Sequence, residues 1–226
     1  MRVYRGPVMI VQCDFDGTIT MNNLSVLLRD KFAGGNWREV EVDYFGGRLT
    51  VEQSNQQQYL LINEPRKVLI EFVRQNIEMR PGFLEFVDYC RANSIRFVIV
   101  SSGLDFYIKT VLSNINAPVL ELYCGQTTFG KNGIDVTYFD PEGNRIEGGF
   151  KDSYLAWLRD SGEPVVYIGD GLSDFDAAST AEYVFAIEHL HIMLSNATIQ
   201  HYTFSDFNDI QKEINNFQDL PQYQER

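Results

Sequence analysis

The chain has 226 residues, 44% of them hydrophobic, enough for one sizeable core with a small insertion and too few for two full domains. Its 19 Lys and Arg stand against 31 Asp and Glu, and a net charge of -12 opposes binding to a phosphate backbone, so no nucleic-acid partner is expected. Three scattered cysteines without a CxxC pair, no signal peptide and no apolar run of membrane-spanning length predict no membrane association and a cytoplasmic location.

Residues 8–11 form a strand-length apolar run that leads directly into Asp14, Phe15, Asp16, Gly17 and Thr18. The stretch 21–79 then reads as helical: Leu24, Leu27 and Leu28 make one stripe, Thr50 to Gln53 forms a capping box, and Pro65 can start a helix with the face Val68, Leu69, Phe72 and Val73. Within it, residues 53–58 are too hydrophilic for a core and are expected to be a solvated helix face. Phe83, Phe86, Val87 and Cys90 recur at i, i+3, i+4, i+7 and predict an amphipathic helix. The strand 95–100 runs into Ser101, Ser102 and Gly103, and a helix over 103–116 follows.

A strand at 119–123 precedes a hairpin, in which residues 127–129 and 134–139 flank Lys131, Asn132 and Gly133. Asp140 to Gly143 marks a second turn. Lys151 stands just before a helix over 152–160 that stops at Gly162 and Pro164. The strand 165–168 opens onto Gly169, Asp170, Gly171, Leu172, Ser173 and Asp174; a last strand covers 183–186, and the tail from Phe217 is expected to fray. Strands alternating with helices predict an α/β fold with a parallel sheet.

Three of these segments place polar groups directly after strands, where open α/β sheets bind ligands. Asp14 and Asp16, two apart in an extended segment, share a face and can point at one site, the lesser alternative being an Asx turn. Ser101 is either a phosphate-binding hydroxyl or an ordinary helix cap. A lysine at a helix start opposes the dipole, so Lys151 suggests a negative partner, although taken alone an exposed lysine of no consequence is the simpler reading. Asp170 and Asp174, four apart among glycines, make a plausible oxygen site for a hard cation or a plain capped turn. If the segments converge, Asp14, Asp16, Asp170 and Asp174 bring four carboxylates together, which calls for a divalent cation, Mg2+ above all, or for shifted protonation. Asp105 and Tyr107 are expected to border the pocket.

The ordered set DxDGT, a strand ending in Ser, Lys, and GDGxSD resembles the haloacid dehalogenase (HAD) superfamily over about residues 8–186. The resemblance implies a Rossmann-like parallel sheet with helices on both faces, formed by 1–20 and 80–226, and a small helical C1 cap at 21–79. It also implies a Mg2+-dependent phosphatase acting on a small phosphorylated metabolite. Asp14 would be the nucleophile, Asp16 the general acid/base, and Ser101 and Lys151 the phosphoryl binders. Asp170 would hold the metal with Asp14 and Asp16, the latter through its backbone carbonyl, and Asp174 would assist. Thr18, Ser102, Gly103 and, from the cap, Arg48 are the further substrate-binding candidates.

The second motif aspartate, Asp16, argues against a dehalogenase. Arg80, Pro81 and Gly82 resemble the phosphoserine phosphatase branch. CDFDGTIT and SSGLDF are more similar to the methionine-salvage enolphosphatases and the phosphocholine/phosphoethanolamine phosphatases. Asn23 stands where phosphoserine phosphatases carry an acidic residue, which argues against phosphoserine. A phosphotransferase or mutase of the same fold, or a noncatalytic phosphate- or Mg-binding module, are the alternatives.

Overall fold

The structure is a computed structural model and describes residues 9–218. Its strands are β1 (Met9–Cys13), β2 (Ile95–Leu104), β3 (Glu121–Gly130), β4 (Gly133–Phe139), β5 (Arg145–Ile146), β6 (Val165–Gly169) and β7 (Tyr183–Ala186). They form one sheet in the order β5-β4-β3-β2-β1-β6-β7, parallel from β3 to β7 and antiparallel at the β3, β4, β5 edge. Every residue of β1 and β6 is buried, so both faces of the sheet centre are covered, as the unbroken apolar runs of buried parallel strands require. Fully burying each Val or Ile of these runs contributes about 1.5–3 kcal/mol.

The helices are α1 (Leu24–Phe32), α2 (Trp37–Phe45), α3 (Val51–Tyr59), α4 (Arg66–Asn76), α5 (Phe83–Ala92), α6 (Asp105–Asn114), α7 (Phe150–Arg159), α8 (Phe175–Thr180), α9 (Glu188–Asn196) and α10 (Phe207–Gln218). Phe83, Phe86, Val87 and Cys90 of α5 are all buried, as their spacing predicts. The Thr50–Gln53 capping box is present at the start of α3. Helices α1 to α4 occupy the chain between β1 and α5; α3 packs on β4, and α4 packs on α1 and α6.

Two local expectations change. The strands expected at 119–123 and 127–129 are one continuous strand, β3, whose first half pairs parallel with β2 and whose second half pairs antiparallel with β4. Gly125 sits where the partners change, and a Cβ there would lie 2.7 Å from Leu104 Cδ2. At the far end Phe217 is buried and stacks on Tyr183 with ring centroids 4.4 Å apart, so packing carries past the expected fraying point. Val8 and the tail after Gln218 lie outside the described residues.

Candidate active site

The three polar segments expected to meet do so, because β2, β1 and β6 are neighbours and each points its carboxyl end the same way. Asp14 follows β1, and its amide donates to the Ile168 carbonyl of β6 at 2.9 Å. Gly17 turns the following loop with φ +76°, and a Cβ at that position would lie 2.2 Å from Asp170 Oδ2, so glycine lets the two acidic loops close on each other. Arg80 braces the same loop, donating from Nε to Thr18 O and from Nη2 to Gly17 O, each at 2.7 Å.

Lys151 lies in the first turn of α7 instead of ahead of it. Only 2% exposed, its Nζ stands 3.0 Å from Asp14 Oδ2 and 2.5 Å from Asp174 Oδ1. Burial pushes the lysine pKa down, but the charges of Asp14 and Asp174 outweigh burial and raise it, so Lys151 is held as a cation. Two carboxylates thus offset its unfavourable place at a helix N-terminus.

Asp174 is wholly buried, and both its oxygens are engaged. Oδ1 accepts from Lys151 and from the Tyr167 hydroxyl at 2.7 Å; Oδ2 accepts from the amides of Asp170 at 3.1 Å and Gly171 at 2.9 Å. Asp14, by contrast, keeps Oδ1 buried without a hydrogen-bond partner. Burial raises the pKa of Asp14, with Lys151 opposing and Asp174 reinforcing. Burial also pushes Asp170 well above the carboxylate range, helped by the charges of Asp174 and Asp14.

Carboxylate oxygens of Asp14, Asp170 and Asp174 lie within 4.8 Å of one another. This all-oxygen donor set, with an orphaned Asp14 oxygen inside it, fits a hard divalent cation. The Asp16 carboxylate, expected as a fourth member, is not part of this cluster. It is held instead by the Leu24 amide, which donates to Oδ1 at 2.9 Å, and by the Tyr107 hydroxyl, which donates to Oδ2. Burial pushes the Asp16 pKa up to about 7, although the Tyr107 hydrogen bond pulls it down.

A cavity of about 350 Å³ opens over these groups. The sheet side lines it with Asp14, Asp16, Ser101, Ser102, Lys151 and Asp170, and Gly103 lies beside them. Ser101 and Ser102 belong to the end of β2, where the register shifts, and the Ser102 hydroxyl is buried without a partner. Helices α1 to α3 supply Arg29, Tyr44, Phe45, Ser54, Asn55 and Gln58.

Two substrate-binding expectations are corrected. Thr18 does not line the cavity; it is fully buried and its hydroxyl donates to Asp170 Oδ1 at 3.1 Å, so it orients that carboxylate. Arg48 is also absent from the cavity wall, because its exposed guanidinium is tied to Asp43 with Nη2 to Oδ1 at 2.5 Å. The expected solvated face of 53–58 is also overturned: Ser54, Asn55 and Gln58 are buried and face the cavity. Asn55 is held by the Ser102 carbonyl at 2.9 Å and the Tyr138 hydroxyl at 2.8 Å. Tyr107 does reach the site through Asp16, whereas Asp105 turns away to accept from the amide and hydroxyl of Thr127.

Arg29, Asn55 and Gln58 are among the site residues missed in the sequence. Their one signal there is spacing, Ser25 and Arg29 being four apart on α1 and Asn55 and Gln58 three apart on α3, and it does not say what those faces meet.

Residues 11–179 match the family model described as haloacid dehalogenase-like hydrolase. The 2-hydroxy-3-keto-5-methylthiopentenyl-1-phosphate phosphatase of Bacillus cereus (strain G9842) is 32% identical over 208 residues, covering 90% of this chain and 94% of that protein. The protein of the same name from Bacillus thuringiensis subsp. konkukian (strain 97-27) is 31% identical over the same shares. Among solved structures, a substrate-bound phosphoserine phosphatase superposes with a TM-score of 0.69 at 17% identity, covering 92% of this chain and 99% of that one. A phospho-aspartyl intermediate analogue of phosphoserine phosphatase gives 0.68 at 15% identity with the same coverage. At such identities these two show a shared fold.

Proposed function

Since the chain belongs to the haloacid dehalogenase-like hydrolase family, we propose that it is a Mg2+-dependent phosphatase that hydrolyses a small phosphomonoester through a phosphoaspartyl intermediate on Asp14. The observation that carries this reading is the pairing of two differently held carboxylates in one cavity. Asp14 is fixed against Lys151 with one oxygen unpartnered, and Asp16 has its pKa pushed up to about 7 by burial.

In the first step a carboxylate oxygen of Asp14 attacks phosphorus, the bond from phosphorus to the ester oxygen breaks, and protonated Asp16 gives its proton to that leaving oxygen. In the second, Asp16 takes a proton from water as the water oxygen attacks phosphorus, and the acyl phosphate bond breaks to free Asp14 and inorganic phosphate. Lys151 neutralises charge on the transferring group and opposes the burial that raises the Asp14 pKa, while the Ser102 hydroxyl and the end of β2 bind phosphate oxygens. Asp14, Asp170 and the Asp16 carbonyl would hold the cation, which supplies charge neutralisation at the phosphoryl oxygens when bound. Asp174 acts at one remove, fixing Lys151 and the Asp170 loop. The four helices from Leu24 to Asn76 form the cap, residues 21–79, that completes the cavity over a core whose described parts are 9–20 and 80–218.

The likeness to the Bacillus proteins over most of both chains makes 2-hydroxy-3-keto-5-methylthiopentenyl-1-phosphate the first substrate to test. Val26, Phe45 and Val51 give the cavity apolar wall for an alkyl tail. The free thiols Cys13, Cys90 and Cys124 suit a reducing compartment, which supports a cytoplasmic location. Among the described residues no helix is long and apolar enough to cross a membrane.

The test is hydrolysis of a chromogenic phosphate ester and a panel of phosphometabolites with and without Mg2+. Wild type should turn over only with the cation, and Asp14→Asn should lose all but a few per cent of the activity. Retention above that after excluding deamidation, or no hydrolysis of any ester by wild type, would overturn the reading.

A further inference from the structure

Arg29 is 8% exposed, and among the described residues it forms no ion pair. Its Nη1 donates to two neutral side-chain oxygens, Asn55 Oδ1 at 3.2 Å and Gln58 Oε1. Its guanidinium carbon lies 4.8 Å from the Trp37 ring centroid and 5.8 Å from that of Tyr59. Nε is buried without a partner. A guanidinium carries a full charge and five N–H donors, and two neutral amide oxygens and two aromatic faces compensate it only in part, with Nε left over. Arg29 lines the cavity together with Asp14 and Lys151, so a group that enters it can complete the set.

Building on the phosphatase reading above, we propose that Arg29, presented by Asn55 and Gln58, is a specificity residue that binds a keto or enol oxygen on the carbon skeleton of the substrate. The phosphoryl group already has Lys151, which belongs to α7, whereas Arg29 and its two amide supports come from α1 and α3. The two cations are therefore carried by separate elements and serve different parts of one molecule. A carboxylate is a poorer occupant than a polarised carbonyl. The same cavity is lined by Asp14, Asp16 and Asp170, as well as Glu41 and Glu188, and a second full anion beside a phosphate would meet that field. A polarised oxygen accepts the guanidinium donors without it. Asn55 ties this reader to the phosphate end, because its amide nitrogen also donates to the Ser102 carbonyl and the Tyr138 hydroxyl.

The test uses the full chain with Mg2+ and four esters: dihydroxyacetone phosphate, propyl phosphate, phosphoglycolate and p-nitrophenyl phosphate. Wild type should favour dihydroxyacetone phosphate over propyl phosphate in kcat/KM. Arg29→Met should lower kcat/KM for dihydroxyacetone phosphate by about tenfold to a hundredfold, the range for losing a charge-assisted contact. Any loss shared with propyl and p-nitrophenyl phosphates is divided out, so the ratio of kcat/KM for dihydroxyacetone phosphate to that for propyl phosphate should itself fall by about tenfold or more. Arg29→Lys, which keeps the charge but not the planar fork, should recover part of the preference, and it replaces Arg29→Met if circular dichroism shows the latter unfolded. Equal losses on all esters, no loss, or a wild-type preference for phosphoglycolate would overturn the assignment while leaving the phosphatase reading intact. Failure of wild type to hydrolyse any of the four would overturn the assignment, and failure on the wider phosphometabolite panel as well would overturn both.

Discussion

Asp174 holds Lys151 at 2.5 Å and shares it with Asp14, which stands 3.0 Å from the same nitrogen. The lysine is thereby aimed by a residue that does not touch the cavity. Replacing Asp174 by Asn would set an amide NH2 against donors that now converge on a carboxylate: the Lys151 ammonium, the Tyr167 hydroxyl and the amides of Asp170 and Gly171. Breaking a buried charge pair from one side costs about 3–5 kcal/mol. Urea unfolding of Asp174→Asn should show a loss of that order, with kcat falling at least about tenfold as Lys151 and the Asp170 loop lose their anchor. Wild-type stability in this variant would show that the Lys151–Asp174 pair does not organise the site.

In the proposed mechanism, the pH dependence of the first chemical step follows from Asp16. Its pKa is raised to about 7, chiefly by burial, so the carboxyl carries the proton needed by the leaving group below that pH and loses it above. The rate of phosphoenzyme formation, read as the burst in rapid-quench experiments, should fall about tenfold per unit on the alkaline side. The Tyr107 hydrogen bond favours the ionised form, so Tyr107→Phe should move this limb to higher pH. A limb that stays in place, or moves lower, would disconnect Tyr107 from the acid.

Much of the catalytic floor was legible in the chain because it depends on short-range order. An apolar run closing on Asp14, another ending at Ser101 and a third at Asp170 need only parallel pairing of β2, β1 and β6 to converge. The cavity wall was not legible in the same way. Residues 53–58 look like a solvated face until Asn55 meets Ser102, 47 residues away, and Arg29 meets Gln58, 29 away. Polar side chains can be buried when distant partners satisfy them, and periodicity does not report the partners. Thr18 and Arg48 failed for the same reason. Each is a plausible substrate contact by type, and each is already engaged, by Asp170 and Asp43 respectively.

Gly103 separates catalytic geometry from stability. A Cβ at this position would lie 2.2 Å from the Tyr107 hydroxyl oxygen and 2.7 Å from Asp16 Oδ2, with no positive φ to add backbone strain. Gly103→Ala should therefore displace the acid and its partner while the strand remains paired. We expect at least about a hundredfold loss in kcat, as for misplacement of a reacting group by about 1 Å. The melting temperature should drop by only a few degrees, roughly the shift expected for 1–2 kcal/mol in a chain of this size. Proportionate losses of folding and activity would argue against a local effect at Asp16.

Cation binding should be coupled to proton release. Burial and mutual repulsion raise the pKa values of Asp14 and Asp170, so each gives up its proton less readily in the metal-free protein than an exposed aspartate does. A divalent ion needs them ionised, so binding must expel protons and weaken as pH falls toward the acid range. Calorimetric titration with Mg2+ near pH 6 in two buffers of different ionisation enthalpy should give different apparent heats, and the difference should shrink at higher pH. Saturating Mg2+ should also stabilise the fold, by about 2.7 kcal/mol at a hundredfold excess over Kd, and removal by a chelator should reverse both the stabilisation and the phosphatase activity. Asp170→Asn removes one of the two proton-releasing ligands and should abolish both the buffer-dependent heat and the Mg2+-induced rise in melting temperature. If Asp170→Asn bound Mg2+ as wild type does, the carboxylates at the ends of β1 and β6 would not be the cation site, and the charge of Lys151 would be left as their principal compensation.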